Sequence, residues 1–278
     1  MFSNGHIRSG LLNGMASLNG LKFGTAQLDG ALARRLDNDA RKYLALCNPK
    51  PSMKWTKALN TFIVNLKQQG NWPQFDRLWI FAADYRQNAR ISIVNPETVQ
   101  NTEVNNPAWT KNEGYTGNGA GAFINTNFTA SLNGVNFTQN SASMGVYCNS
   151  ASLTGSVEVD FGSQNGTIMT QYWAPTLTCY VNSGSPVGGQ PYTKGMVASV
   201  RTSSSVMSAW INGIQVSSGS YASTGISTSP TYIMTQDLSN APQSGVYSTR
   251  QYAMFFCGGG GISQHLLYNS FKNFLNNI

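Results

Sequence analysis

With 278 residues, 41% of them hydrophobic and including 13 Phe, 12 Tyr and 6 Trp, the chain holds enough apolar material for a sizeable core, which excludes an intrinsically disordered protein. Only 10% of its residues are charged, against about 25% in an ordinary domain, so its polar surface is made of hydroxyls and amides. The net charge of +7 is confined to the first third, where residues 1–90 carry 13 Lys/Arg against 5 Asp/Glu while residues 91–278 carry 5 against 6; a basic balance recurring along amphipathic helices favours a solvated face or an acidic partner over nucleic acid.

Residues 1–30 place glycine at positions 5, 10, 14, 20, 24 and 30 between Leu11, Leu12, Met15, Leu18, Leu21 and Phe23. A segment both apolar and full of turn signals cannot build its own core, so it reads as an anchor arm that orders against something else. The same stretch lacks a continuous apolar h-region, and no window of the chain approaches 18 apolar residues, so neither a Sec signal nor a membrane span is expected.

Residues 31–72 read as two basic amphipathic helices for assembly or attachment. Leu32, Leu36, Ala40, Tyr43 and Cys47 form one helical stripe, with Arg34, Arg35, Arg41 and Lys42 mostly on other faces. Asn48-Pro49-Lys50-Pro51 ends that helix, and a second begins near Ser52, burying Trp55, Leu59, Phe62, Ile63 and Leu66 before Gly70. Such a pair needs a surface to cover: it packs as a hairpin on the following domain, or it forms an interface around a symmetry axis, with Leu32, Leu36, Tyr43, Arg34 and Arg35 as the assembly residues.

From Phe75 the pattern changes to short β-branched and aromatic runs separated by Asn, Gly, Ser and Pro, which is the signature of a sandwich or barrel across residues 73–278. Candidate strands run over 78–81, 122–124, 144–148, 156–161, 166–173, 176–182, 195–201, 206–211, 214–217, 232–236 and 252–257. Asn212-Gly213 between two apolar strands predicts a tight hairpin turn. Gly258 to Gly261 precedes a C-terminal helix with Ser263 as its N-cap and Leu267, Phe271, Phe274 and Ile278 as its buried stripe, closing one opening of the sandwich. The glycine run lacks the Lys-Ser/Thr of a phosphate-binding loop, and no βαβ periodicity surrounds it.

Chemistry-bearing patterns are sparse. Cys47, Cys148, Cys179 and Cys257 show no CxxC spacing and read as buried thiols, and no metal site is expected. His6 and His265 stand beside no nucleophile motif. Glu158-Val159-Asp160 is the one alternating carboxylate pair, superficially similar to the Glu-x-Asp-x-x-Glu strand of laminarinase-type enzymes, but Ser163 occupies the position of the third Glu, so a polar face or a bound loop is the expected role. No cofactor is implied. The aromatic residues Tyr172, Trp173, Tyr180, Tyr192 and Tyr221 are the candidate glycan-binding set, because flat rings suit sugar faces; Trp210, before the Asn-Gly turn, is expected in the core.

Three blocks carry a resemblance. Residues 62–97 hold Gly70, Trp72, Asp76, Ala83 and the Ala89–Asn95 run; residues 112–128 hold NEGYTGNGAGAFINTNF; residues 197–216 and 252–275 hold the Asn-Gly hairpin and the closing strand with its helix. Together they resemble the concanavalin A-like, laminin-G-like jelly-roll domains of bacteriophage virion proteins, over roughly residues 55–278. The resemblance implies a mainly β, concanavalin A-like jelly-roll sandwich with N-terminal amphipathic helices and a C-terminal helix. It further implies a non-enzymatic fibre, spike or decoration subunit of a virion assembled in the host cytoplasm, contacting other virion proteins, self-associating with a trimer favoured, and presenting a surface to a host glycan. The alternatives on the same fold are a polysaccharide-degrading enzyme and a secreted lectin-like adhesin.

Overall fold

In the computed structural model the described residues are 35–150, 157–163, 168–173, 176–191 and 194–278, together with strands β1 (Lys22–Phe23) and β2 (Ala26–Gln27), which pair antiparallel. The rest of the expected arm, Leu32, Arg34 and Tyr192 lie outside the described residues.

Helix α1 spans Asn38–Leu46 and helix α2 spans Met53–Gln68. The stripe expected to run unbroken from 31 to 47 is interrupted at Asp37, whose backbone leaves the helical region (φ −55°, ψ 149°) while its carboxylate accepts the Asp39 N–H at 2.9 Å. A short acidic side chain that satisfies an orphan N–H is worth about 1 kcal/mol at this position, enough to set the helix start. Ser52 caps α2 in the same way through the Trp55 N–H, and the predicted stripe of Trp55, Leu59, Phe62, Ile63 and Leu66 is fully buried. Asn48 to Pro51 separates the two helices as expected.

The strands are β3 (Phe75–Ile80), β4 (Thr102–Val104), β5 (Ala108–Thr110), β6 (Gly114–Thr116), β7 (Phe123–Thr129), β8 (Ala142–Cys148), β9 (Val157–Ser163), β10 (Ile168–Trp173), β11 (Thr176–Val181), β12 (Val187–Pro191), β13 (Gly195–Arg201), β14 (Val206–Ile211), β15 (Ile214–Ser220), β16 (Pro230–Ile233) and β17 (Gln251–Gly258). They form two antiparallel sheets, one in the order β12-β11-β10-β9-β16-β7-β4 and the other β15-β14-β13-β8-β17-β6-β5, with β3 added to β17. The molecule is therefore the mainly β sandwich that the sequence implied. Asn212 (φ 51°) and Gly213 (φ 77°) turn the β14–β15 hairpin, with Ile211 facing Ile214 across it.

Between the sheets, Phe161 of β9 meets Phe255 of β17 edge-on at 5.6 Å, and Phe255 also packs on Trp79 of β3. Tyr147 of β8 belongs to the opposite face of the eight-stranded sheet, where it packs on Tyr268 and Phe271 of helix α3 (Gln264–Asn276). Phe62 and Trp55 of α2 complete this layer against Phe271 and Phe274. The C-terminal helix thus covers a sheet face, not an opening of the sandwich, because its Phe271–Phe274 edge finds α2 and β8 there. Ser263 stands at its N-cap but makes no capping bond; Asn71 instead accepts the Ser263 N–H at 2.8 Å and donates to the Ser263 carbonyl at 3.2 Å.

One continuous apolar core runs from Leu36 to Phe274 through helices and both sheets, joining α1 and α2 to the sandwich. Tyr43, expected at an assembly surface, is fully buried, stacked on Trp55 and donating its hydroxyl to the Asn88 carbonyl at 3.0 Å. Leu36 is buried with it, and Arg35 is the exposed member of the described assembly set. The buried face of α1 is the one the amphipathic stripe marks, and it packs on α2 and on the Asn88 segment. None of the four cysteines is in a disulfide, and all are buried. Gly260 answers to packing: a Cβ there would lie 2.2 Å from the Arg201 carbonyl oxygen. Among the described residues no helix is long and apolar enough to cross a membrane.

Candidate functional site

The carboxylate pair on β9 has a definite structural role. The β9–β10 register slips at Asp160, so that Thr170 pairs with Phe161 and Gln171 with Val159, and Asp160 is the extra residue of a bulge. Its Oδ1 lies 2.7 Å from Arg250 Nη2 and 2.7 Å from the Tyr252 hydroxyl. Glu158 accepts from the Ser248 hydroxyl at 2.9 Å, the Thr249 N–H at 3.0 Å and the Thr249 hydroxyl at 3.0 Å, with Arg250 Nε 3.7 Å away. Glu158, Asp160, Ser248, Arg250 and Tyr252 are all buried, as is Ser163. Met234, a buried residue in the left-handed region at φ 75°, donates its N–H to the Asp160 carbonyl and accepts the Ser248 N–H.

Burial pushes the Asp160 carboxyl above its ordinary range, against the pull of the Arg250 charge and the Tyr252 hydroxyl, and it drives the Tyr252 phenol well above its usual value. Carboxylates sealed between two sheets and committed to such bonds cannot attack or protonate a substrate. They tie β9 to the segment leading into β17, which is the loop-binding role expected of them.

A different constellation opens to solvent. Arg201, at the end of β13, is fully buried and has no carboxylate partner among the described residues. Its Nε donates to the Val181 carbonyl at 2.9 Å, and Nη1 donates to the carbonyls of Ser203, Ser204 and Tyr221 at 3.1, 3.3 and 2.9 Å. One planar fork therefore fixes β11, the β13–β14 loop and the segment after β15 relative to one another. Burial lowers the guanidinium's pKa from its usual value.

The loops so held interlock further. The Tyr221 N–H donates to Ser205 and the Ser223 N–H to Ser204, the Ser223 hydroxyl donates to Asn140 Oδ1 at 2.7 Å, and Asn182 donates to the carbonyls of Thr138 and Gln139 at 3.0 Å each. The result is a rim whose outward groups are Gln139, Asn140, Ser185, Ser204, Ser205 and Thr224, with a half-buried Tyr221 whose ring lies over Gly219. Neutral donors and acceptors beside an aromatic face, on loops that need little reordering, suit a hydroxyl-rich neutral ligand.

Of the aromatic candidates, Tyr221 reaches this rim. Tyr180 packs against the small apolar cluster of Val159 and Val246, where burial raises its pKa. Tyr172 and Trp173 belong to β10, and their side chains lie outside the described residues, as does Tyr192. Trp210 is half-buried, its indole N–H donating to the Ser208 hydroxyl at 2.9 Å. Sequence reasoning passed over Arg201; the available signal was a single arginine closing the otherwise uncharged strand Gly195–Val200 just before a serine run. His265 is exposed, beside Asn269. Among the described residues no group of three or more His, Cys, Asp or Glu is placed to hold a metal.

The class these features define is a two-sheet antiparallel β-sandwich with a helical layer on one sheet and an arginine-braced loop rim. No protein-family model matches the chain, and no curated protein sequence matches it. Solved structures share its fold. A Trypanosoma rangeli sialidase in complex with 2,3-difluorosialic acid, a covalent intermediate, is similar with a TM-score of 0.51 at 12% identity over 79% of this chain and 39% of that one. The same sialidase in complex with sialic acid gives 0.51 at 11% identity, over 71% and 33%. The binding domain of botulinum neurotoxin DC in complex with rat synaptotagmin II gives 0.51 at 12% identity, over 72% and 52%. The chain spans about two fifths or less of the sialidase's length and about half of the toxin domain's, and likeness at these identities is one of fold.

Proposed function

We propose that this chain is a structural component of a bacteriophage particle, a fibre, spike or decoration subunit, and that its sandwich binds a host-surface glycan at the loop rim around Tyr221. The observation that carries the binding reading is Arg201, a buried cation spent on holding the Val181 carbonyl of β11 and three loop carbonyls, which preorganises an uncharged, hydroxyl- and amide-rich rim beside the half-buried Tyr221. The resemblance of residues 55–278 to virion jelly-roll domains supports the particle role, and the fold shared with a sialidase that has been captured with sialic acid supports a glycan as the ligand class.

A glycan array probed with the full chain tests the binding, followed by titration of the best hit against Tyr221→Ala. An aromatic platform removed from a sugar face weakens binding by about tenfold, from roughly 1–1.5 kcal/mol of ring contact. An array without a hit, or equal affinity in the variant, removes the rim from the account. Light scattering on the full chain tests self-association, for which a trimer is expected of a fibre and a stable monomer counts against it.

The sialidase likeness raises a second reading, a glycan-active protein. Glu158 and Asp160 give it no support, because both are buried in structural bonds. Release of free sialic acid from sialyllactose by the purified chain would favour it over binding alone.

A further inference from the structure

Three of the chain's Asn-Gly pairs lie among the described residues, at 118–119, 133–134 and 212–213. Glycine after asparagine leaves the next backbone nitrogen unshielded, and that nitrogen closes on the side-chain Cγ where the amide is turned toward it. Hydrogen bonds decide which of the three is turned so. Asn212 reaches across to another strand, its Oδ1 accepting the Met196 N–H at 2.9 Å and its Nδ2 donating to the Lys194 carbonyl at 3.3 Å. A Cβ on Gly213 would lie 2.9 Å from His265 Cα, so helix α3 lies against that peptide. Asn133 turns backward, its Oδ1 accepting the Thr129 N–H at 2.8 Å, and the Gly134 N–H is committed to the Ala130 carbonyl at 3.1 Å. Asn118, between β6 and β7, turns forward. Its Oδ1 accepts the N–H groups of Ala120, Gly121 and Ala122 at 2.9, 3.0 and 3.0 Å, which folds the amide over the Gly119 peptide. Asn118, Gly119 and Ala120 are exposed, so water reaches the group, and the Gly119 N–H is held by one long bond, 3.3 Å to the Ser248 carbonyl. Three N–H donors on one carbonyl oxygen polarise its Cγ and match the charge that the oxygen gains when a nucleophile adds.

We propose that Asn118 is a self-modification site, at which the folded chain converts the amide to a carboxylate with water as the co-reactant. The Gly119 nitrogen gives its proton to solvent hydroxide and bonds to Cγ, and the negative charge passes to Oδ1 beneath its three N–H donors. The carbonyl then re-forms, the Cγ–Nδ2 bond breaks, and the nitrogen leaves as ammonia with a proton taken from water, so a succinimide remains. Water adds to one ring carbonyl and opens the ring to aspartate or isoaspartate; nothing is oxidised or reduced. The product carries a permanent negative charge on a loop, residues 117–122, that otherwise has none. An aspartate there keeps the same three donors, now in charge-assisted bonds.

The test incubates the full chain in mildly alkaline buffer made with heavy-oxygen water, folded in one sample and unfolded by urea in the other. Chymotrypsin, cutting after Tyr115, Phe123, Phe128, Phe137, Trp210 and Tyr221, then releases the three sites in separate peptides, and mass spectrometry reads the heavy oxygen in each. In the folded chain Asn118 is expected to convert at least about tenfold faster than Asn133 and Asn212. In urea the three convert at similar rates, because the difference lies in the fold. Asn118 also converts at least as fast folded as unfolded, whereas the other two are slowed by folding. A second measurement uses Asn118→Asp, whose Tm is expected to exceed that of the freshly purified wild type. The proposal is overturned by label entering Asn133 or Asn212 as fast as Asn118 in the folded chain, by slower conversion of Asn118 folded than unfolded, or by an Asn118→Asp variant that melts below the wild type.

Discussion

Replacing Arg201 with leucine removes the guanidinium and strands the carbonyls of Val181, Ser203, Ser204 and Tyr221. A buried acceptor left without a donor costs about 1–3 kcal/mol, but the three loop carbonyls lie near solvent and recover water after small shifts, and the variant no longer desolvates an unpaired cation. Taking the full cost for Val181 and a fraction for the loops gives a net loss of about 3 kcal/mol. At about 2–4 °C of Tm per kcal/mol for a domain of this size, the melting temperature should fall by about 6–12 °C in differential scanning calorimetry. Hydrogen exchange should accelerate at residues 203–205 and 221–224 first. Arg201→Lys keeps the charge but presents its donors from one point, so less than half of the loss is recovered. A fall of under about 2 °C for the leucine variant would refute the bracing role.

Three further outcomes are expected. Asp160, whose carboxyl is held above its ordinary range by burial, carries a stability contribution that is fully present below about pH 4 and is lost as pH rises through the raised value. Urea midpoints of the wild type should therefore fall more steeply from pH 4 upward than those of Asp160→Asn, and equal slopes would contradict the assignment. Gly260→Ala drives a methyl group against the Arg201 carbonyl and should cost about 3 kcal/mol in chemical denaturation; a neutral result would mean the two backbones do not meet. Tyr43→Phe deletes one buried bond to Asn88 and should cost about 1 kcal/mol while leaving the solution mass unchanged, whereas a changed mass would return Tyr43 to an interface.

The strands that announced themselves in the sequence are those with buried β-branched or aromatic residues, such as Val206–Ile211 and Gln251–Gly258. The Asn212-Gly213 turn was legible because two consecutive left-handed residues demand that pair. By contrast β4, β5 and β6 are three-residue strands of mixed exposure in Asn-, Thr- and Gly-rich sequence, where a period of two has no room to appear. Helical periodicity reveals which side of α1 and α2 is apolar and leaves open what covers it, and for Tyr43 the cover is Trp55 of α2 and the Asn88 segment. The candidate rim was least visible. Its exposed Ser, Asn and Gln resemble any loop of this composition, and what distinguishes them is a buried arginine whose partners are main-chain carbonyls, of which the sequence shows only the lone Arg201 before a serine run.

Strand β17, last in the chain, is central in its sheet, flanked by β8 on one side and by β3 and β6 on the other. During synthesis, β3, β6 and β8 emerge with their shared neighbour still missing, and the buried Asp160 of β9 waits 92 residues for Tyr252. The sandwich therefore closes only after β17 has left the ribosome, as a long-range event. Removing β17 and α3 would then split the eight-stranded sheet between β8 and β6 and yield an aggregating product, and no smaller sandwich.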